Sequence, residues 1–264
     1  MENNNKTALI TGATKGIGYE LAKLFAKDNY NIIMVARTPE RHGSIEEEFA
    51  MLYPQGNFHY IEKDLSRDGA ADELYEEVKA LGLQIDVLVN NAGIGEAGPF
   101  IETDLKKNLE VIHTNVVSLV SLTHHYLKEM VARNDGRILQ LGSVASFSPN
   151  PLLSVYAASK AFVRSFTEAI INEIKDTKVT MTLLAPNATD TGFFINANAE
   201  DTVAGQGDKD SPADVAKAGY EALMKGEHRL IYGLPAKAMV TMGNVLPDQA
   251  QAAMARKQFE EKKD

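Results

Sequence analysis

The 264-residue chain contains no cysteine, which excludes disulfides and thiolate chemistry. It also lacks any apolar run near the roughly eighteen residues that a membrane span needs. Met1 to Lys6 are polar, without the apolar stretch of a secretory signal. Cytoplasmic residence without membrane contact is the resulting expectation. Positive charge is in deficit, with 27 Lys and Arg against 36 Asp and Glu and a formal net charge of -9. Binding along a nucleic-acid backbone requires a clustered cationic surface, so no nucleic-acid partner is expected. A local anion site remains open. Histidine is sparse too, and the adjacent His124-His125 pair lacks the His-x-x-x-His spacing of a metal site, so none is expected. The carboxylates Glu46-Glu47-Glu48 are consecutive, spread around a helix and read as a solvated face.

What is present is an ordinary globular composition, 44% hydrophobic and 24% charged. Apolar runs recur at Ala8-Leu9-Ile10, Ile32 to Val35, Phe58 to Ile61, Val87-Leu88-Val89, Ile138 to Leu141, Val179 to Leu184 and Arg229 to Tyr232, separated by charged segments of helical period. Continuous apolar strands alternating with helices predict a parallel sheet covered on both faces. With right-handed crossovers this is an α/β, single-domain, doubly wound Rossmann-type sheet flanked by helices, with a core over residues 6–232. Asn187 to Asp210 is rich in small and polar residues and follows the sixth strand, which marks a candidate lid. Ser211 and Pro212 start a helix as N-cap and first helical residue. Residues 233–264 read as a mostly helical extension.

The first strand runs into Thr11-Gly12-Ala13-Thr14-Lys15-Gly16-Ile17-Gly18 and then a helix. Glycines there let the backbone turn and approach a pyrophosphate lying over unsatisfied N–H groups at the helix N-terminus. The second strand ends Val35-Ala36-Arg37, without the acid that would accept hydrogen bonds from the adenosine ribose of NAD. Arg37 and Lys15 offer cations to a 2'-phosphate instead, so the cofactor expected is NADP(H).

Ser143 follows the fifth strand, and Tyr156 and Lys160 follow it at thirteen and seventeen residues. The Tyr-x-x-x-Lys spacing also occurs at Tyr19/Lys23 and Tyr75/Lys79, so spacing alone discriminates little. The setting does. The fifth strand delivers Ser143 to the edge where open α/β sheets bind ligands. A helix over Ser154 to Lys175 puts Tyr156 and Lys160 on one face.

Together these residues resemble the short-chain dehydrogenase/reductase family, in its single-domain branch, over residues 6 to 232. The resemblance implies that Gly12, Thr14, Lys15, Gly16, Ile17 and Gly18 form the cofactor loop and that Asp64-Leu65 lies against the adenine. It implies that Asn91, Ala92 and Gly93 pass close to the cofactor and that Pro186, Asn187, Thr189 and Thr191 lie toward its nicotinamide end. Asn115 completes a catalytic tetrad with Ser143, Tyr156 and Lys160. Asn187 departs from the family, which has glycine after this proline; asparagine tolerates positive φ better than most residues.

Reduction of a carbonyl needs a hydride and a proton, and the cofactor supplies only the hydride. Tyr156 is the expected acid, with its phenol depressed by Lys160 and by the positive nicotinamide. Lys160 is expected to bind ribose hydroxyls as well. Ser143 would hydrogen-bond the substrate oxygen, and Asn115 would support a water chain. The expected pocket wall is Ile94, Phe147, Pro149, Leu152, Leu153 and Phe193 to Ile195, an apolar set suited to a small uncharged carbonyl or alcohol. Tail residues Met239, Val240, Met242, Val245 and Leu246 are expected to cover the pocket or pack between subunits. The resemblance implies a homodimer or homotetramer. The function expected is an NADP(H)-dependent oxidoreductase. The alternatives are 3-oxoacyl reduction, a non-catalytic NADP(H) sensor or scaffold, and an epimerase or dehydratase of the extended branch, which needs a longer C-terminal domain.

Overall fold

In the computed structural model, which describes residues 6–37, 44–243 and 246–262, each apolar run becomes a parallel strand. Residues 1–5, Val245 and Asp264 lie outside the described residues. The chain runs β1 (Thr7–Thr11), α1 (Gly16–Lys27), β2 (Asn31–Ala36), α2 (Ser44–Leu52), β3 (Phe58–Glu62), α3 (Ala70–Ala80) and β4 (Val87–Asn90). It continues through α4 (Leu105–Ile112), α5 (Ser118–Arg133), β5 (Arg137–Leu141), α6 (Ser154–Glu173) and β6 (Thr180–Ala185). Two short helices, α7 (Phe193–Asn196) and α8 (Val203–Gln206), precede α9 (Pro212–Lys225), β7 (Arg229–Ile231), α10 (Leu234–Gly243) and α11 (Asp248–Phe259).

The seven strands lie in the order β3-β2-β1-β4-β5-β6-β7. Successive residues of a strand face opposite sides, and the burial follows that period. Ala8, Ile10, Ile32 and Met34 enter one core with Leu21 and Phe25 of α1 and with Val215 and Leu223 of α9. Leu9, Ile33, Val35, Leu88 and Ile138 enter the other, against Leu74 of α3 and Tyr126 of α5. Both faces being covered, the strands tolerate no polar alternation. The strand order reverses between β1 and β4, which opens a crevice at their C-terminal ends.

Helix boundaries follow local chemistry. Ser211 caps α9 by accepting from the Asp214 N–H, with Pro212 at the first turn, as its sequence predicts. Entry into α6 is less ordinary. Leu152 takes φ +66°, a left-handed conformation that costs a bulky residue roughly 1–3 kcal/mol. The Gly98 N–H donates to the Leu152 carbonyl at 2.8 Å and fixes that turn beside the tetrad helix.

Candidate active site

The glycine loop is shaped by close backbone approach. Gly12 and Gly16 have φ of +67° and +59°, and a Cβ on Gly18 would lie 2.3 Å from the Gly12 carbonyl oxygen. Asn91 is its strut: Nδ2 donates to the carbonyls of Thr11 at 2.9 Å and Gly12 at 3.0 Å. The Thr11 hydroxyl in turn accepts the N–H groups of Asn91 and Ala92. Lys15 precedes α1 without a side-chain cap, so the first N–H groups of the helix keep their capacity for an anion. This cradle fits a dinucleotide pyrophosphate.

At the outer end of the cleft, Arg37 follows β2 and is exposed, as is Lys15. Neither makes an ion pair with a described residue, and both line the cleft. Asp64 is oriented by an Asx turn, its Oδ1 accepting from the Ser66 N–H at 3.0 Å and hydroxyl at 2.7 Å. Leu65 is anchored by the Ser118 hydroxyl donating to its carbonyl at 2.7 Å. Sequence reasoning missed Lys63, which also lines this end and pairs with Glu77 at 3.0 Å. Its place beside Asp64 was the available signal.

Ser143 caps a short 3-10 turn, Val144–Phe147, through the Ala145 N–H at 3.1 Å. The Tyr156 phenol faces the Ser143 side chain, which favours its ionised form. Lys160, one turn along α6, donates from Nζ to the Leu141 carbonyl at 2.7 Å and lies 5.7 Å from the centroid of the Tyr156 ring. Burial pushes the phenol up to about 12, opposed by the neighbouring Ser143 side chain, and pushes the Lys160 ammonium down to about 8. The expected depression of the phenol is therefore corrected for the free protein. Both groups have lost water, and the ammonium is engaged by a backbone carbonyl rather than by the phenol.

Asn115 is buried behind this pair, in a π-helical turn, His113–Val117, between α4 and α5. Its Nδ2 donates to the Ile94 carbonyl at 2.9 Å and the Ser159 hydroxyl at 3.0 Å, and its Oδ1 accepts the Ile94 N–H at 3.0 Å. The Ser159 hydroxyl donates onward to the Tyr156 carbonyl at 2.6 Å. Asn115 thus clips the segment after β4 to α6. A Cβ on Gly93 would lie 3.2 Å from Lys160 Nζ, so glycine is what leaves the lysine room. The two other Tyr/Lys pairs are surface structure. Tyr19 donates to Glu48 while Lys23 pairs with Glu20, and Tyr75 and Lys79 both donate to Glu129.

Every predicted catalytic and cofactor-binding residue except Gly16, Gly18 and Asn115 lines one cleft of about 1030 Å³. Those three sit behind its wall. Thr191 packs on the glycine loop, its Cβ and Cγ2 falling 2.8 Å from where a Cβ on Gly16 would sit. Thr189 bridges to Asp210. Asn187 is not among the left-handed residues, so its tolerance of positive φ is not called on. Phe147, Leu153, Phe193 and Phe194 line the cleft, whereas Pro149, Leu152 and Ile195 do not. Ile195 is 67% exposed on the outside of α7. Much of the remaining wall comes from α10 and α11: Met239, Val240, Met242 and Leu246 line the cleft as the tail was expected to, and Met254 and Phe259 join them without a sequence signal.

A family profile described as short chain dehydrogenase matches residues 6–202. The chain belongs to the short-chain dehydrogenase family. This short-chain dehydrogenase is similar to a very-long-chain 3-oxoacyl-CoA reductase of Mycosarcoma maydis, 36% identical over 67% of this chain and 51% of that protein. It is 35% identical to a 17-beta-hydroxysteroid dehydrogenase type 3 of Rattus norvegicus, over 70% of this chain and 60% of the relative. The match therefore spans about half to three-fifths of those relatives' length. A structure solved in work on 7beta-hydroxysteroid dehydrogenase stereoselectivity superposes with a TM-score of 0.84 at 24% identity, covering 95% of this chain and 96% of that one. That likeness concerns the fold of the short-chain dehydrogenases.

Proposed function

We propose that this protein interconverts a ketone and a secondary alcohol using NADP(H), with Tyr156 as proton donor and acceptor. The observation that carries the reading is that Ser143, Tyr156 and Lys160, the last one helical turn from the phenol, line the same cleft as the glycine loop. A nicotinamide dinucleotide, when bound, supplies or accepts the hydride. Gly12, Thr14, Ile17, Asp64, Leu65, Ala92, Gly93, Pro186 and Thr191 would hold it along the cleft. Ser143 Oγ orients the substrate oxygen. The phenol, protonated at neutral pH, gives that oxygen its proton. Asn115 positions α6 and the Gly93-Ile94 segment around the lysine. Cofactor consumption against a panel of aldehydes and ketones tests this; turnover that survives loss of the Tyr156 hydroxyl refutes it.

The preference for NADP(H) rests on Arg37 and Lys15 at the end where an acid would serve NAD. A charge-assisted hydrogen bond contributes about 1.5–3 kcal/mol before solvent screening, and about 1.4 kcal/mol retained is a tenfold preference. Arg37→Ala is therefore expected to raise the KM for NADPH about tenfold and to leave that for NADH unchanged. Equal effects on both cofactors would refute the assignment.

A homodimer is part of the same reading. Leu105, Leu109 and Ile112 follow helical spacing on α4 and are exposed, as is Phe162 on the adjoining α6. An apolar row of that kind on a monomer marks an interaction surface. Leu109→Glu is expected to shift sedimentation from dimer to monomer; an unchanged assembly would exclude this face.

A further inference from the structure

The end of the cleft beyond Tyr156 has a construction of its own. Phe193 lies against Tyr156, with ring centroids 4.8 Å apart, and a Cβ on Gly95 would lie 2.7 Å from the Phe193 ring. The segment carrying that ring is fastened twice. On one side Asn198 Nδ2 lies 3.2 Å from each oxygen of the buried Glu96 carboxylate, and the Ala97 N–H donates to the Ala197 carbonyl at 2.8 Å. On the other the C-terminus closes over it. Val203 N–H donates to the Glu260 carbonyl at 3.1 Å, Lys262 N–H to the Asp201 carbonyl at 3.0 Å, and Thr202 pairs with Glu261 as an antiparallel bridge. Phe259 packs into the small apolar cluster of Phe194, Ala197 and Ala199. With the cleft faces of α10 and α11, this clasp makes an apolar end wall carrying three methionines, Met239, Met242 and Met254.

Charge is distributed unevenly along the same cleft. Lys15, Arg37 and Lys63 line the outer cofactor end and Lys160 its middle. Among the described residues that line the walled end, no Lys, Arg or His occurs, and the one charged residue is Asp208. Lys209, beside this end, lies over the Phe194 ring with its Nζ donating to the Gly205 and Gly207 carbonyls. Near Phe147, toward the nicotinamide side, Arg164 lies over the ring at 4.9 Å and Arg229, 5.9 Å from it, pairs with Glu168; neither lines the cleft. A phosphate-bearing carrier arm leaving the cleft here would meet an anion and thioethers, whereas an uncharged hydrocarbon ketone would bury its surface against Met and Phe.

We infer that the clasped C-terminal helices are the specificity wall of this enzyme, and that they select a neutral lipophilic ketone or its alcohol held whole within the cleft over an acyl group presented on a phosphate-bearing carrier. The inference rests on the ketone-reductase reading above and decides between substrate chemistries within it. Phe259 and the methionines are its specificity-determining residues.

The test compares a 3-oxoacyl ethyl ester with the coenzyme A thioester of the same chain length, using NADPH and the full chain. The ester is expected to show a kcat/KM at least tenfold higher. Phe259→Ala should raise KM about tenfold more for a polycyclic ketone than for a small cyclic one, with kcat nearly constant. Met254→Lys, on a half-exposed site that does not challenge the core, should improve the thioester relative to the ester. Equal or better use of the thioester by the unmodified chain overturns the inference, as does a Phe259→Ala effect that is uniform across ketone size. Should neither compound turn over, the reductase reading fails by itself. Calorimetric binding of both to the NADPH-loaded Tyr156→Phe protein then decides: tighter ester supports the wall, tighter thioester overturns it.

Discussion

Tyr156→Phe is expected to lower turnover by a factor of about 10²–10⁴, the usual contribution of a positioned general acid, with NADPH binding retained. The substitution keeps the ring that packs against Phe193 and removes only the hydroxyl beside Ser143, so the cleft stays shaped. Even if a hydrogen bond of that hydroxyl were lost, the cost of about 0.5–1.5 kcal/mol of stability leaves the chemical effect separable from unfolding. The pH dependence has a definite sign. A phenol pushed up to about 12 is protonated throughout the neutral range, so its proton is available for carbonyl reduction there without titrating. Alcohol oxidation needs the phenolate, so its rate rises with pH. Initial rates in both directions from pH 6 to pH 10 check the pattern. Near-normal turnover in the Phe variant, or an oxidation rate that falls with pH, would sink the assignment.

Lys160→Met is expected to separate stability from activity in opposite directions. Lys160 is 2% exposed, and burial lowers its pKa from 10.5 to about 8. Between those values the unfolded chain binds more protons at this site than the folded one, so stability rises with pH there. Below about 8 the ammonium is charged in both states and its desolvation penalty is fully expressed. Methionine removes that penalty and strands the Leu141 carbonyl, which offsets part of the gain. The net expectation at pH 7 is a stabilisation on the order of 1–3 kcal/mol, shrinking as the pH approaches 10.5. Cofactor binding and turnover both fall. Urea unfolding of the cofactor-free proteins at pH 7 and pH 9.5 measures the effect, and a variant less stable than the parent at pH 7 would contradict it.

How much of this the chain declared in advance depended on the range of the interaction. Strands such as Ile32 to Val35 were legible because burial on both faces demands an unbroken apolar run. The glycine loop was legible because close backbone contact leaves no alternative to glycine at Gly18. Tyr156 was told from Tyr19 and Tyr75 by the strand that delivers Ser143, and the structure supplies the reason: the phenols of Tyr19 and Tyr75 are held by carboxylates. The phenol's acidity was misjudged, since adjacency to Lys160 says nothing about desolvation or about Leu141 taking the ammonium. Ile195 was misplaced because a four-residue helix, α7, turns neighbouring side chains to opposite sides. The apolar tail positions Met239, Val240, Met242 and Leu246 were legible as a cover for the pocket and line it, whereas Met254 and Phe259 were not, since they reach the cleft only where α11 packs onto the Phe194 cluster.

The π turn at His113–Val117 carries one residue more than an uninterrupted helix from Leu105 to Arg133 would use. Such a turn acts as a phase shifter. Without it everything beyond would be advanced by about 100° and 1.5 Å, so that if α5 kept Tyr126 in the core, α4 and Asn115 would be rotated out of register with Ile94 and Ser159. Chain length in this helix is therefore as much a determinant of the catalytic arrangement as any side chain in it. A one-residue deletion here, conservative by composition, would be a change of gearing.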